Sequence, residues 1–321
     1  MHPSITAAWT GKRVVALSGG IGGARLVHGL ARILPPQSLS VIANTGDDFE
    51  HLGVWVSPDC DTLMYTLAEM APITRGWGIE GDTYHAMETA IALGAPEWFQ
   101  LGDKDLGTNL LRTARLRAGE RLTTITEDFA RSHKLPVRLL PMSDQPHPTF
   151  LRDQAGTLHS FQDWLVKERG APIVQEVELR GEHIATPEVL DALEQADLIV
   201  IPPSNPFVSV DPILALRGVR ELVAQKPVVA VAPIIHGAAV KGPLGSMIPS
   251  LLHEAASAGA VGRYYKELID VYVVAEGDLD PALPCKQVEA DVMMRDISGR
   301  ERLAATVLSE VQAHGLLQVG R

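Results

Sequence analysis

Arg13-Val14-Val15-Ala16-Leu17 leads into Ser18-Gly19-Gly20-Ile21-Gly22-Gly23, and Ala24 to Leu34 follows with Leu26, Leu30 and Ile33 at helical spacing. A short apolar run, a glycine turn and an amphipathic helix make one strand–turn–helix unit, the usual start of an α/β fold. Glycines let backbone amides approach an anion closely, and the positive end of the following helix points at the same place, so Gly20, Gly22, Gly23 and Arg25 suit a phosphate. The spacing departs from two known fingerprints. Arg25 stands where a dinucleotide turn carries its third glycine, and no Gly-Lys-Ser/Thr follows for a P-loop. A tight structural turn is the plain alternative.

Downstream, Leu39 to Ala43 reads as a second strand, followed by an acidic loop from Asn44 to Asp61 and a helix from Thr62 to Met70. Residues 75–135 are mainly helical in pattern, over Asp82 to Leu93, Asp105 to Ala118 and Thr123 to His133, and read as an insertion into a core of residues 13–74 and 136–321. Val137 to Leu140, Thr157 to Trp164 and Ile173 to Leu179 look strand-like. Helices at Pro187 to Gln195, Pro212 to Ala224 and Ser246 to Ala258 then alternate with strands at Asp197 to Ile201, Pro227 to Ala232 and Val271 to Ala275. Such alternation predicts a doubly wound, mostly parallel sheet with a helical insertion. Ligands of these sheets bind beyond the carboxyl ends of the strands, where Gly19 to Arg25, Asn44 to Asp61, Pro202 to Asn205 and Pro233 to Pro243 would converge.

The 321 residues carry a formal net charge of −11, which opposes nucleic acid or an anionic membrane as partner. Two cysteines, Cys60 and Cys285, cannot build a disulfide framework or a paired-cysteine zinc site, as expected of a cytoplasmic protein. No apolar stretch suits secretion or a membrane span.

Asp47, Asp48, Asp59 and Asp61 fall within fifteen residues beside the glycine turn. Clustered acids repel unless a cation sits among them, and magnesium, which takes a few carboxylates plus phosphate oxygens, suits the pattern. The bland reading makes Asp47 and Asp61 caps of a turn and a helix. Ser204 and Asn205, in the rigid loop Pro202 to Pro206, could bind phosphate or a base, or only satisfy turn backbone. Lys241 is a phosphate ligand or a solvated lysine. Trp77, Trp98 and Phe99 could stack on an aromatic ligand or form plain core. Arg112, Arg115 and Arg117 read as a solvated helix face. Asn44 ends the second strand, where a nicotinamide-binding protein would place Asp or Glu on the ribose.

Taken together, Ser18 to Arg25, Asn44 to Asp48, Pro58 to Thr62 with Met64-Tyr65-Thr66-Leu67, Gly76-Trp77-Gly78, Leu101 to Asp105, Pro141 to Asp144, Pro202 to Pro206 and Val240 to Pro243 resemble the 2-phospho-L-lactate transferase family. The resemblance runs from about residue 13 to 280. It implies a Rossmann-like core with a helical insertion, a homodimer, magnesium, and transfer from a guanosine diphospho donor to the deazaflavin Fo with release of GMP, a step of coenzyme F420 biosynthesis. On this basis Asp47 and Asp61 are expected magnesium ligands, with Asp61 beside the Fo ribityl chain and Gln100 a second Fo contact. Gly20, Gly22, Gly23, Arg25, Ser204, Asn205 and Lys241 would form the donor pocket, and Asn44 is a further expected substrate contact. Independently of the resemblance, Asp48 is the expected general base, with Asp59 as the alternative. Three positions depart from the family pattern: Asn109 stands for a histidine, His236 for a glycine, and Gly245-Ser246 lacks a lysine. Two rival functions are a nucleotide-sugar-sensing regulatory module of the gluconeogenesis-factor type and a nicotinamide oxidoreductase, the latter opposed by Asn44 and the missing third glycine.

Overall fold

A computed structural model describes residues 3–316. Seven strands form one parallel sheet: β1 (Val14–Ser18), β2 (Leu39–Ala43), β3 (Arg138–Pro141), β4 (Leu198–Ile201), β5 (Val228–Val231), β6 (Val271–Val274) and β7 (Lys286–Glu289). Their spatial order is β7-β6-β5-β4-β1-β2-β3. The chain therefore winds outward from β1 in one direction, then returns to β4 and winds out in the other. This is the doubly wound arrangement predicted from the alternation, and its switch point lies between β1 and β4.

Alternate residues of each central strand enter opposite cores. Val15 and Leu17 of β1 join Ile42, Ile199 and Ile201 on one face, while Val14 and Ala16 join Val41, Leu198 and Val200 on the other. Because both faces are covered, these strands read as continuous apolar runs rather than alternating ones.

Helix α1 (Gly20–Ile33) begins inside the glycine cluster, earlier than the predicted Ala24. The segment expected to be an acidic loop contains an antiparallel hairpin, Phe49–His51 with Val54–Val56, and its last residues belong to helix α2 (Pro58–Leu67). Pro58 at the first helical position is preorganised for helix geometry. Asp59 and Asp61 are thus buried first-turn residues, not loop residues. Residues 75–135 carry helices His85–Ala92, α3 (Asp103–Arg117) and Leu122–Ser132.

Further differences lie outside the central strands. A strand at Thr149–Asp153 had no sequence counterpart; it pairs antiparallel with Leu158–Ser160 and Val174–Leu179 in a separate small sheet. The helix expected over Pro212 to Ala224 is split into Asp211–Leu214 and Val219–Ala224 around the left-handed Gly218. The one expected from Ser246 is Leu244–Leu252, with a second at Ala258–Tyr265. Strand β7 and the terminal helix α4 (Ile297–Ala313) were also unanticipated. Among the described residues no helix is long and apolar enough to cross a membrane.

Candidate active site

At the carboxyl ends of β1, β2, β4 and β5 lies a cavity of about 690 Å³, lined by parts of all four segments named from the sequence and by Trp77, Trp98, Phe99 and Gln100 from the 75–135 region. Its floor is the turn from β1 into α1. Close packing accounts for two of the glycines. A Cβ on Gly22 would sit 2.4 Å from the carbonyl oxygen of Pro203, and one on Gly23 would crowd the hydroxyls of Ser18 and Ser204. Gly20 is different: it has φ +68° and open space around its α-carbon. Its N–H donates to Asp59 Oδ1 at 2.6 Å, so a carboxylate already meets the first amide of the helix. Gly19, at the N-cap, brings no side chain to that end.

Among the described residues five carboxylates line the cavity: Asp47, Asp59, Asp61, Glu97 and Asp105. Asn44 organises two of them, its Nδ2 donating to Asp47 Oδ1 at 2.7 Å and to Asp59 Oδ2 at 2.9 Å. The same amide reaches the Val208 carbonyl, and Asn44 Oδ1 accepts from the Gly46 N–H. Asn44 is fully buried beneath the cavity wall. All its polar capacity goes to the protein, and it acts as a positioning residue. Burial, then repulsion from Asp59 and Asp48, pushes Asp47 well above the usual carboxylate range. Burial raises Asp59 to about 6, against the hydrogen bonds from Asn44 and Gly20.

Asp61 is met on both oxygens by the guanidinium of Arg112, with Nη1 to Oδ2 at 3.0 Å and Nη2 on Oδ1. Arg112, read from sequence as solvated, is 2% exposed. It also donates to Asn109 Oδ1 at 2.6 Å, while Asn109 donates to Asp105. Tyr65 hydroxyl donates to Asp105 Oδ1 at 2.8 Å. Asp48 does not line the cavity: it accepts from Ser57 Oγ at 2.7 Å and Trp55 Nε1 at 3.2 Å, and burial pushes it to about 8.

Another part of the lining is cationic, with Arg25, Lys241 and Arg295. Arg25 donates to the Ile73 carbonyl at 2.7 Å, and Lys241 donates to the carbonyls of Thr74 at 3.2 Å and Arg75 at 2.8 Å. Neither has a carboxylate partner among the described residues. Burial lowers both, and for Lys241 the neighbouring Arg25 lowers it further. Main-chain carbonyls are neutral acceptors, which a phosphate, forming charge-assisted bonds, outcompetes.

Ser204 and Asn205 line the cavity while serving the backbone. Ser204 Oγ donates to the Gly19 carbonyl at 2.8 Å, and Asn205 Oδ1 accepts from the Phe207 N–H at 3.0 Å. Gln100 lines the cavity beside Trp98 and Phe99, which pack with Phe49 and His51. Trp77 is half exposed, with the Arg75 guanidinium 4.3 Å from its ring centre. His236 and Ser246 are turned elsewhere, the first to Asp278 and the second to the Pro243 carbonyl.

The residues fit a hard divalent cation in the chemistry of their donors: several cavity-facing carboxylate oxygens, two of which share one amide donor. Among the described residues no three His, Cys, Asp or Glu side chains are grouped so that they could hold a metal ion by themselves. Ligand oxygens and water would have to complete the shell.

Residues 14–311 match the model of the family described as 2-phospho-L-lactate transferase CofD. The chain is 38% identical over 302 residues to a 2-phospho-L-lactate transferase of Methanosarcina mazei, covering 92% of this chain and 99% of that one. It is 39% identical over 308 residues to a phosphoenolpyruvate transferase of Thermobifida fusca, covering 91% and 95%. A solved structure of a UPF0052 family protein from Bacillus halodurans superposes with a TM-score of 0.62 at 16% identity, over 92% of this chain and 99% of that one, which establishes the shared fold. With a family model spanning nearly the whole sequence and relatives matched almost end to end, the chain belongs to the 2-phospho-L-lactate transferase family and is a transferase.

Proposed function

We propose that the protein transfers a phospholactyl-type group from a guanosine diphospho donor to the primary hydroxyl of Fo, releasing GMP, as a magnesium-assisted step of coenzyme F420 biosynthesis. One observation carries the reading: the same cavity is lined by carboxylate-free cations, by clustered carboxylates and by aromatic side chains. The relatives' names divide between phospholactate and phosphoenolpyruvate transfer, so the donor acid, including phosphoglycerate, is left to experiment.

In the proposed reaction the Fo oxygen attacks the donor phosphorus that bears the acid. A new P–O bond forms as the bond to the GMP phosphate breaks. Arg25, Lys241 and the first-turn amides of α1 would hold the diphosphate oxygens, so positioning and charge neutralisation supply most of the acceleration. Magnesium, held by Asp47 and Asp61 with phosphate oxygens and water, would neutralise the charge that develops on the leaving phosphate. Asp59 fits the role of proton acceptor better than Asp48, because it faces the cavity and its pKa lies near 6. Gln100, Trp77 and Trp98 would line the Fo side. A homodimer, expected from the resemblance, remains part of the proposal.

The oxidoreductase alternative is disfavoured by Asn44, whose buried and fully engaged amide cannot reach a ribose. A thermal-shift screen with Fo, GDP and NADH separates the readings. Stabilisation by Fo and by GDP is expected; stabilisation by NADH alone would overturn the proposal, and a response to nucleotide without Fo would favour the sensing module.

A further inference from the structure

We propose that Arg112 is an internal counter-ion that makes binding of the divalent cation depend on the donor: it occupies Asp61 in the free enzyme and keeps the acidic wall from capturing a cation alone. The inference rests on the magnesium-assisted reading above.

Four of the five carboxylates that line the cavity are the aspartates Asp47, Asp59, Asp61 and Asp105, and among the described residues Arg112 alone of their hydrogen-bonding partners brings a positive charge. The other partners are neutral: the Asn44 amide, the Gly20 amide, the Tyr65 hydroxyl and the Asn109 amide. Arg112 is also fixed. Its guanidinium is held by Asn109 Oδ1 at 2.6 Å and the Trp55 carbonyl at 3.4 Å, and its centre lies 6.0 Å from that of the Phe129 ring. A buried fork of this kind cannot swing into solvent when a second cation arrives.

Two consequences follow from the geometry. Each oxygen of Asp61 meets one guanidinium nitrogen and keeps a second lone pair, so the carboxylate can still bind a metal from the cavity side. A dication placed there is repelled by the fixed guanidinium behind it. Carboxylates alone then hold the cation poorly, and the diphosphate of the donor must supply the missing negative charge. Cation and donor would enter as partners, and Arg112 would be a positioning residue that couples them.

The test is Mn²⁺ binding, followed by the electron paramagnetic resonance of the free ion, with and without GDP, in wild type, Arg112→Gln, Arg112→Lys and the double variant Asp61→Asn/Arg112→Gln. Wild type should bind Mn²⁺ weakly alone and at least tenfold more tightly with GDP. Arg112→Gln should bind Mn²⁺ alone about tenfold more tightly than wild type, with little further gain from GDP and a lowered kcat. Arg112→Lys, which keeps the charge but loses the fork, should restore the dependence on GDP while kcat stays low. The double variant leaves neither charge unpaired and should fold even where Arg112→Gln does not; it should show weak Mn²⁺ binding alone, with a smaller gain from GDP than wild type. Unchanged or weaker Mn²⁺ affinity in folded Arg112→Gln would overturn the inference, as would loss of GDP dependence in Arg112→Lys. If Arg112→Gln does not fold, the Arg112→Lys and double-variant outcomes decide. Absence of Mn²⁺ binding to wild type under both conditions would instead bring down the metal reading, and this inference with it.

Discussion

The two walls of the cavity solve opposite problems. On the acidic wall, Asp61 has a guanidinium and Asp47 and Asp59 share the Asn44 amide, so part of the charge is met inside the protein. On the cationic wall, Arg25 and Lys241 rest on carbonyls of residues 73–75, with no carboxylate partner among the described residues. Buried or crowded charge is tolerated where a partner completes it. Both sets of charges are left short, since one guanidinium faces several carboxylates while Arg25 and Lys241 meet only carbonyls, which suits a ligand that brings both signs, such as a diphosphate accompanied by a metal ion.

Asp61→Ala should break this arrangement most severely. Expected on a loop, Asp61 is in fact buried against Arg112, so its removal leaves an unpaired guanidinium and should cost about 3–5 kcal/mol of stability besides nearly all turnover. Chemical denaturation and assays in saturating magnesium check both, and wild-type turnover would exclude Asp61 from the reaction. On the other wall, Lys241→Ala should raise the donor KM by roughly 10–100-fold, the loss of one charge-assisted contact, and leave the Fo KM alone. Lys241→Arg should recover part of that loss, since a planar fork does not reproduce an ammonium. Unchanged donor kinetics would remove Lys241 from the site.

The floor between the walls sharpens the comparison by packing alone. Gly22→Ala drives a Cβ into the Pro203 carbonyl and should cost about 1–3 kcal/mol, whereas Gly20→Ala meets no atom and suffers only its left-handed φ, about 1 kcal/mol. Equal losses would show that the close approach of α1 to the 203–204 loop is unimportant.

An effect confined to one pH window is expected at Asp211, a half-buried carboxyl outside the cavity lining. Burial raises it to about 6, against a hydrogen bond from Tyr264. A carboxyl raised on folding binds its proton more tightly in the folded chain. Its contribution to stability therefore falls as pH rises from the unfolded value near 4 through about 6, and is flat outside that window. Asp211→Asn should flatten that part of the stability–pH curve by about 1–3 kcal/mol. An unchanged curve would show that burial does not perturb the group.

How much of this was legible depended on what each segment touches. Strands β1, β2, β4, β5 and β6 are legible because both faces are largely buried and their sequences are almost wholly apolar, Ser40 being the one polar residue inside a run. Strand β7, Lys-Gln-Val-Glu at the sheet edge, carries no such run, and Thr149–Asp153 sits in a small sheet with polar residues on one side. The convergence of the acidic, glycine and lysine segments followed from topology. The roles of Asn44 and Arg112 did not, because each depends on a partner that only the fold brings close. One signal for Arg112 was present: α3 buries Asn109, Arg112 and Thr113, spaced three and four apart, while Leu110 and Leu111 are half exposed. A polar stripe at helical spacing facing a cluster of acids is an inward face, although three nearby arginines resemble a solvated one.

The central claim is that both walls serve one transfer between a guanosine diphospho donor and Fo. Incubating the purified protein with Fo, magnesium and each donor in turn, and following the products by mass spectrometry, tests it most directly. The account predicts Fo heavier by one phospho-acid group and an equal amount of GMP, with EDTA suppressing both. Recovery of intact Fo and intact donor from every incubation, under conditions where both bind, would contradict it.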